Sequence, residues 1–574
     1  MNKRIDILYS RFLLLRWFLV GSTVFLTSIL LYLQIYQATL FATYSKKNFL
    51  RERILASRRG AITDRNGVLL ATDRPITALY WQGTGLKKLS TEQLAIVNFL
   101  RKYSANPLPT DKELGVTERY KKKLLLIDEL TFEILAQILE QCGNHKNLLL
   151  ETRTIRYYPE ESCACHIIGS FRQTAQAPTS QALMGIEKIF EEQLRGQPGK
   201  EELIVDSLGR CIQQKTLFQA LNGTQVKTTI SIIPQKNAEK LLEKFRAGTI
   251  IVMDPDQGDL IVLASHPTFD PNLFTQPISP KQWQAYLSEK PFINRALGSC
   301  YPPASLFKLV TAAAALEERI ITPHSEWTCT GATKFGNAVF HCNKRYGHGK
   351  ISLTQSIAQS CNIPFYEIGK EIPIDLLAKY AESFGFGRPT GIILPERTGL
   401  VPTARWKEQI VGQRWQRGET VLVSIGQSYS LVTPLQTVRF VGSLGTGRLV
   451  RPRILLQEDA EFAPLPITQE TRDCILGGMR QSVETGTARL LKKLPHVEIF
   501  GKTGTAQVCS RKKRADDENE ETYKNHGWFV GYIKPEDSRP FVLMVFLEHV
   551  GSARVAVQTA RDFLQLWQKT NFAF

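Results

Sequence analysis

The sequence lacks the marks of a nucleic-acid protein. Along its 574 residues there is no zinc finger of the nucleic-acid-binding kind, no RNP-like aromatic motif and no P-loop. No nucleic-acid partner is therefore expected, although the formal net charge is +18. That excess suits an anionic lipid surface, an acidic polymer or a plain solvated surface, and charge alone does not choose. Internal repeats and low-complexity tracts are also missing. Ten cysteines are present, but their irregular spacing gives no disulfide framework. A hydrophobic share of 43% and a charged share of 22% are ordinary for a chain that buries sizeable cores. The length allows two or three domains.

Charge is absent again between Trp17 and Ser45, a stretch longer than the ~20 apolar residues that span a bilayer. Backbone groups in lipid must pair within the segment, so a helix is predicted. Lys3, Arg4, Arg11 and Arg16 precede it and set residues 1–16 as a cytoplasmic leader. The run ends in Ala42-Thr-Tyr-Ser-Lys46 without a clear small-residue cleavage pattern, which favours an uncleaved anchor at 17–45 over a signal peptide. Everything after about residue 46 is then expected outside the cytoplasm, on a single-pass protein of the cytoplasmic membrane. Lys46, Lys47, Arg51 and Arg53 oppose that orientation, but long translocated domains override such flanks.

Past the anchor, Asp64-Arg-Asn-Gly67 between apolar runs at 60–63 and 68–71 predicts a hairpin with a type I′ Asn-Gly turn. Residues 76–235 mix short strands with polar helices, including the charged stretch 112–123, and residues 46–235 read as an elongated noncatalytic module. A second domain is expected over 236–574. A helix at 235–245 leads into strands at 248–253 and 260–265, joined by a tight turn at Asp254–Gly258. Further strands are predicted at 500–508, 528–533 and 541–546, with a closing helix at 555–568. A sheet built from the two ends of a domain, with helices from its middle, is an α+β pattern.

Ser305-Leu-Phe-Lys308 follows Tyr301-Pro-Pro-Ala304 and opens an apolar, Ala-rich helix. Positions three apart share a helix face, so the Ser305 hydroxyl and the Lys308 amine can meet. A serine becomes a nucleophile when a base takes its proton, and a lysine serves as that base when burial lowers its pKa. Alone, Ser-x-x-Lys occurs by chance in a chain this long, and a surface lysine is the plain alternative. Ser360-Cys-Asn362 and Gly501-Lys-Thr-Gly-Thr505 follow in order, the first in a helical connection and the second in a strand-like setting. The three together form the set known from penicillin-binding proteins and serine β-lactamases.

From about residue 10 to its end the chain resembles the class B penicillin-binding proteins, the monofunctional peptidoglycan transpeptidases. The resemblance rests on Arg59-Gly-Ala-Ile-Thr-Asp-Arg-Asn-Gly67, on Arg156-Tyr-Tyr-Pro159 with His166-Ile-Ile-Gly169, and on Gly185-Ile-Glu-Lys188 with Leu194-Arg-Gly196. Asn294-Arg-Ala296, Gly426-Gln427, Thr433-Pro434 and Trp528-Phe-Val-Gly531 complete it. Their order and spacing are specific where each alone is not. The resemblance implies one anchor, a pedestal (dimerisation) domain, and a transpeptidase domain with a five-stranded antiparallel sheet among helices. It departs at Ala304, where glycine is expected; Cys361 in the second motif is a variant shared by elongation-type members.

The resemblance also assigns roles. Ser305 attacks the penultimate D-alanine carbonyl of a stem peptide, Lys308 is the base, and Ser360 relays the proton to the departing D-alanine. Asn362 orients Lys308 and substrate. Lys502, which with Lys308 holds Ser360, supplies positive charge near the terminal carboxylate; Thr503, Gly504 and Thr505 bind substrate, the two threonine hydroxyls bonding that carboxylate or positioning the donor, and the Ser305 and Thr505 N–H groups form an oxyanion hole. β-Lactams would trap Ser305 as an ester. No cofactor is needed for catalysis.

Cys329, Cys342, His348 and Cys361 make a full Cys3His set of the closed structural zinc type, and some elongation-type members carry zinc on ligands of matching spacing. A Cys329–Cys342 disulfide, or free thiols, are the alternatives. The residues favour an elongation-type transpeptidase, and the resemblance implies that it is penicillin-sensitive and partnered by a multispanning glycosyltransferase of the shape, elongation, division and sporulation family within an elongation complex. A division-type transpeptidase is the runner-up. A D,D-carboxypeptidase or β-lactamase is third, because no E-x-x-L-N-type loop occurs. The runs Arg511-Lys-Lys-Arg514 and Asp516-Asp-Glu-Asn-Glu-Glu521 read as a solvated loop.

Overall fold

The computed structural model describes residues 2–103, 108–143, 145–173, 181–206, 211–275, 278, 280–508, 524–570 and 572. The basic and acidic runs at 511–514 and 516–521, and Cys509, lie outside the described residues. The chain divides into two compact units, one made of 1–59 with 195–223 and one of 60–194 with 224–574.

The first unit carries the apolar helix. Residues Ile7–Tyr36 are long and apolar enough to cross a membrane, and none of that span is buried against protein. The helix starts upstream of Trp17 and takes in Arg11 and Arg16. The unit also holds an antiparallel three-stranded sheet of Leu50–Leu55, Gly199–Val205 and Cys211–Phe218.

In the second unit the hairpin after Ile62–Thr63 forms, with Ile62 opposite Ala71. Its turn is not type I′. Only Gly67 has positive φ, at +91°, and Asn66 does not. Asp64 decides the turn: its Oδ1 accepts from the N–H groups of Asn66 at 2.8 Å and Val68 at 2.9 Å, the local side-chain turn that aspartate favours. Further along, the motifs Arg156-Tyr-Tyr-Pro159 and Gly185-Ile-Glu-Lys188 meet. Arg156 Nε donates to Glu187 Oε1 at 2.7 Å, both side chains fully buried, and the Tyr158 hydroxyl donates to the same oxygen at 3.3 Å.

The α+β expectation holds. Five antiparallel strands stand in the order Leu260–His266, Gly248–Met253, Phe541–Leu547, His526–Pro535 and Val497–Ala506. Every residue of Phe541–Leu547 is buried, which explains its unbroken apolar sequence: both faces of the sheet are covered. Leu543, Val545 and Leu547 pack with Ala556, Ala560, Phe563 and Trp567 of the closing helix Ala553–Gln568. Val542, Met544 and Phe546 face a core that holds Leu309, Val310 and Ala313 of the helix Phe307–Glu317. The two-residue alternation of a strand thus serves two cores at once. Val497–Ala506 is the edge strand, so among the described residues no further strand pairs with the Lys502–Thr505 segment on its outer flank.

Candidate active site

Ser305 sits in a short 3-10 turn, Ala304–Leu306, that feeds the helix Phe307–Glu317. The turn is made by Ala304 in the left-handed region at φ +50°, which accounts for the glycine expected there. The Ala304 N–H donates to Gly426 O at 2.9 Å, and a Cβ on Gly426 would lie 2.1 Å from the Ala304 carbonyl oxygen. Gly426 is therefore required by close backbone approach. A Cβ on Gly504 would stand 3.4 Å from Pro303 O, so the edge strand runs directly along the same turn.

Ser360 lies between the helices Leu353–Ala358 and Ile363–Glu371, itself in the left-handed region at φ +53°. That kink presents three acceptors to one amine. Lys308 Nζ donates to Asn362 Oδ1 at 2.7 Å, Ser360 O at 2.8 Å and Ser360 Oγ at 3.3 Å. From the sheet side, Lys502 Nζ donates to Ser360 Oγ at 3.0 Å and to Thr503 O at 3.1 Å. Both lysines are fully buried. The Ser360 oxygen thus accepts from two amines, and its own proton is left to donate.

Burial without a carboxylate partner disfavours the charged amines. It pushes Lys308 down to about 7, against a smaller upward pull from the Cys361 and Cys342 thiols. Lys502 is driven well below its ordinary value, first by burial and then by the charge of Lys308.

Ser305, Ser360, Asn362, Thr503 and Thr505 all line one cavity of about 960 Å³. The structure therefore brings the three sequence motifs together around a single space, with the two lysines behind its wall. The threonine hydroxyls are already engaged. Thr503 Oγ1 lies 2.7 Å from Thr487 Oγ1, and Thr505 Oγ1 accepts from the Ala553 N–H at 3.2 Å.

Thr487 was not singled out from sequence. Its signal is a Thr-Gly-Thr run after the helix Gln469–Glu484, with Gly486 forced by the Ala358 carbonyl, 2.2 Å from where a Cβ would stand. Also missed was the His341 carbonyl. It accepts from Asn362 Nδ2 at 3.0 Å and from the Tyr366 hydroxyl at 3.2 Å, holding the Asn362 amide in place.

The candidate metal ligands also converge. The ligand atoms of Cys329, Cys342, His348 and Cys361 all lie within 4.8 Å of one another. Cys329 Sγ and Cys342 Sγ are each 3.5 Å from His348 Nδ1, and Cys342 Sγ is 3.7 Å from Cys361 Sγ. A tetrahedral zinc site would require ~3.6 Å for sulfur to nitrogen and ~3.8 Å for sulfur to sulfur, so the donor set fits the ion. None of the nine described cysteines forms a disulfide. The Cys342 thiol is pulled below its ordinary range, first by the hydrogen bond from Cys361 and, against burial, by the N–H groups of Lys344 and Asn362.

A serine opening a buried helix, with a second serine hydroxyl held between two lysines, defines the class of serine acyl-transfer enzymes. Comparison with known proteins narrows the class. The penicillin binding protein transpeptidase domain matches residues 248–565, and the penicillin-binding protein dimerisation domain matches residues 54–228. The chain belongs to the penicillin-binding protein transpeptidase family. It is 30% identical to the peptidoglycan D,D-transpeptidase MrdA of Acinetobacter baumannii, over 94% of this chain and 85% of that one. To MrdA of Escherichia coli it is 29% identical, over 86% of this chain and 82% of that protein. Among solved structures it is similar to a chain of the complex between the penicillin-binding protein PBP2 and MreC from Helicobacter pylori. That match has TM-score 0.79 and 25% identity and covers 92% of this chain and 100% of the other. A chain of a peptidoglycan synthase complex that coordinates polymerization and crosslinking matches with TM-score 0.75 and 28% identity, over 97% and 98%.

Proposed function

We propose that the chain is a peptidoglycan D,D-transpeptidase of the elongation type, sensitive to penicillin, with Ser305 as its nucleophile. The observation that carries this reading is the convergence of Ser305, Ser360 and Thr505 on one cavity backed by Lys308 and Lys502. Neutral Lys308 takes the Ser305 proton as the hydroxyl attacks the carbonyl of the penultimate D-alanine. The N–H groups of Ser305 and Thr505 receive the oxyanion. The Ser360 hydroxyl, held by both amines, delivers a proton to the departing D-alanine. Asn362 orients Lys308 and the substrate amide, while Lys502, Thr503, Gly504 and Thr505 shape the place of the terminal carboxylate. An amine of a second stem peptide then takes the acyl group. Fluorescent penicillin tests this: wild type should be labelled covalently and Ser305→Ala should not, and equal labelling of both would end the assignment.

The remaining parts follow the same reading. Residues 17–45 serve as the anchor, 46–235 as the pedestal and 236–574 as the transpeptidase domain, which lies on the outer side of the cytoplasmic membrane. Cys329, Cys342, His348 and Cys361 hold a structural zinc ion, which fixes the segment from Cys329 to His348 against the chain that carries Ser360 and Asn362. A glycosyltransferase of the shape, elongation, division and sporulation family, and an elongation scaffold, are the partners. The similarity to a PBP2 solved with MreC supports the latter.

A further inference from the structure

The two N–H groups that receive the oxyanion in this reading come from distant parts of the chain, Ser305 at the head of a helix and Thr505 on the edge strand. Both can bond one oxygen only if their spacing is held to within about 0.5 Å. A buried cluster behind the site connects the two segments. Glu548 Oε1 accepts from the Tyr301 hydroxyl at 2.7 Å and from Arg295 Nε at 2.9 Å. None of these three residues lines the cavity.

Tyr301 stands on the chain that enters the nucleophile turn, four residues before Ser305. Its backbone exchanges two hydrogen bonds with Val432, each 2.9 Å, and its ring centroid lies 4.1 Å from that of Phe546. Arg295 is tied to the strand Leu260–His266, its backbone N–H donating to Ser265 Oγ at 2.9 Å. Glu548 follows the strand Phe541–Leu547 directly and opens the loop that reaches Thr505. Along that loop the His549 N–H donates to His526 Nδ1 at 3.1 Å and the Gly551 N–H to Asn525 O at 2.8 Å. The Ala553 N–H then donates to Thr505 Oγ1 at 3.2 Å. His526 is the sheet partner of Ala506, the neighbour of Thr505. One carboxylate therefore holds both the segment before Ser305 and the loop that buttresses Thr505. Burial works against its charge, but the Tyr301 hydroxyl and the Arg295 guanidinium keep Glu548 below the ordinary carboxylate range. A buried ion pair is by itself a poor source of stability, so its use lies in what it joins.

We infer that Glu548 is a positioning residue for the reaction: with Tyr301 and Arg295 it sets the distance between the Ser305 and Thr505 N–H groups. This rests on the transpeptidase reading. The hole is complementary to the transition state rather than to bound substrate, so the cluster governs the acylation rate and not binding.

The test uses the full-length chain in detergent with penicillin, and stopped flow separates the noncovalent dissociation constant from the acylation constant. Tyr301→Phe keeps the ring against Phe546 and loses one hydrogen bond. It should slow acylation about tenfold and leave the dissociation constant within about twofold. Glu548→Ala should slow acylation about 100-fold, and Glu548→Gln, which keeps an accepting oxygen, should recover about tenfold of that loss. The infrared carbonyl stretch of the penicilloyl ester on Ser305 should move to higher wavenumber in Tyr301→Phe, because a looser hole polarises the carbonyl less. A residue that only supported the fold would lower the melting temperature and leave that stretch where it was. Acylation by folded Tyr301→Phe within about twofold of wild type, a loss confined to the dissociation constant, or an unmoved stretch would overturn the inference while penicillin still labels Ser305. If Glu548→Ala does not fold, Tyr301→Phe decides alone. If wild type takes no label at Ser305, the transpeptidase reading falls and takes this inference with it.

Discussion

Lys502 donates to the hydroxyl of Ser360 across 3.0 Å from the strand Val497–Ala506, and Lys308 reaches the same oxygen at 3.3 Å from the helix Phe307–Glu317. Ser360→Ala removes the one oxygen shared by two buried amines. Acylation by penicillin should fall by about 100-fold or more, the usual loss when a proton-transfer group is deleted. The circular dichroism spectrum should stay that of a folded protein. Acylation within threefold of wild type would exclude Ser360 from the proton path.

Burial brings the Lys308 amine down to about 7. The base must be neutral to accept a proton. Acylation should therefore climb as pH rises through about 7 and level off above it, falling about tenfold per pH unit on the acid side. A stopped-flow pH profile of penicillin acylation checks this. A rate flat between about pH 6 and 8 would show that another group is the base.

Purified full-length protein, prepared without chelator, should contain one zinc ion per chain. Cys342→Ala should lose the ion and melt at a lower temperature, because a structural zinc site contributes folding energy directly. Elemental analysis decides it, and protein without stoichiometric zinc would refute the site.

Arg156 and Glu187 are fully buried partners. Glu187→Ala strands a guanidinium in the interior and should cost about 3–5 kcal/mol in denaturant unfolding. A loss under about 1 kcal/mol would mean that Asp73, 3.2 Å from Arg156, suffices alone.

Ala304 holds a conformation that costs a residue with a Cβ about 1 kcal/mol. Ala304→Gly should therefore stabilise the protein by roughly that amount, less the entropy glycine adds to the unfolded chain. Clear destabilisation would show that the Ala304 methyl, buried at 2% exposure, contributes more packing than strain.

The strands of the central sheet were legible because hydrophobic runs and turn signals are local properties. Gly248–Met253 matches its expected bounds, and Val497–Ala506, His526–Pro535, Phe541–Leu547 and Ala553–Gln568 fall within a few residues of theirs. The Asn-Gly turn was misjudged for an equally local reason, since the Asp64 carboxylate competes for the same N–H groups. The roles of Thr487 and the His341 carbonyl were not legible. Each acts only through a residue distant in sequence, Thr503 in one case and Asn362 in the other.

By itself the sequence determined the chemistry: which serines, lysines and threonines are present, their order in three motifs, and the apolar segment at the start. Tertiary structure alone decided their protonation and their partners. A lysine pKa depends on burial and on nearby charge, and both arise only when the helix at 307, the kink at 360 and the edge strand at 502 close on one another.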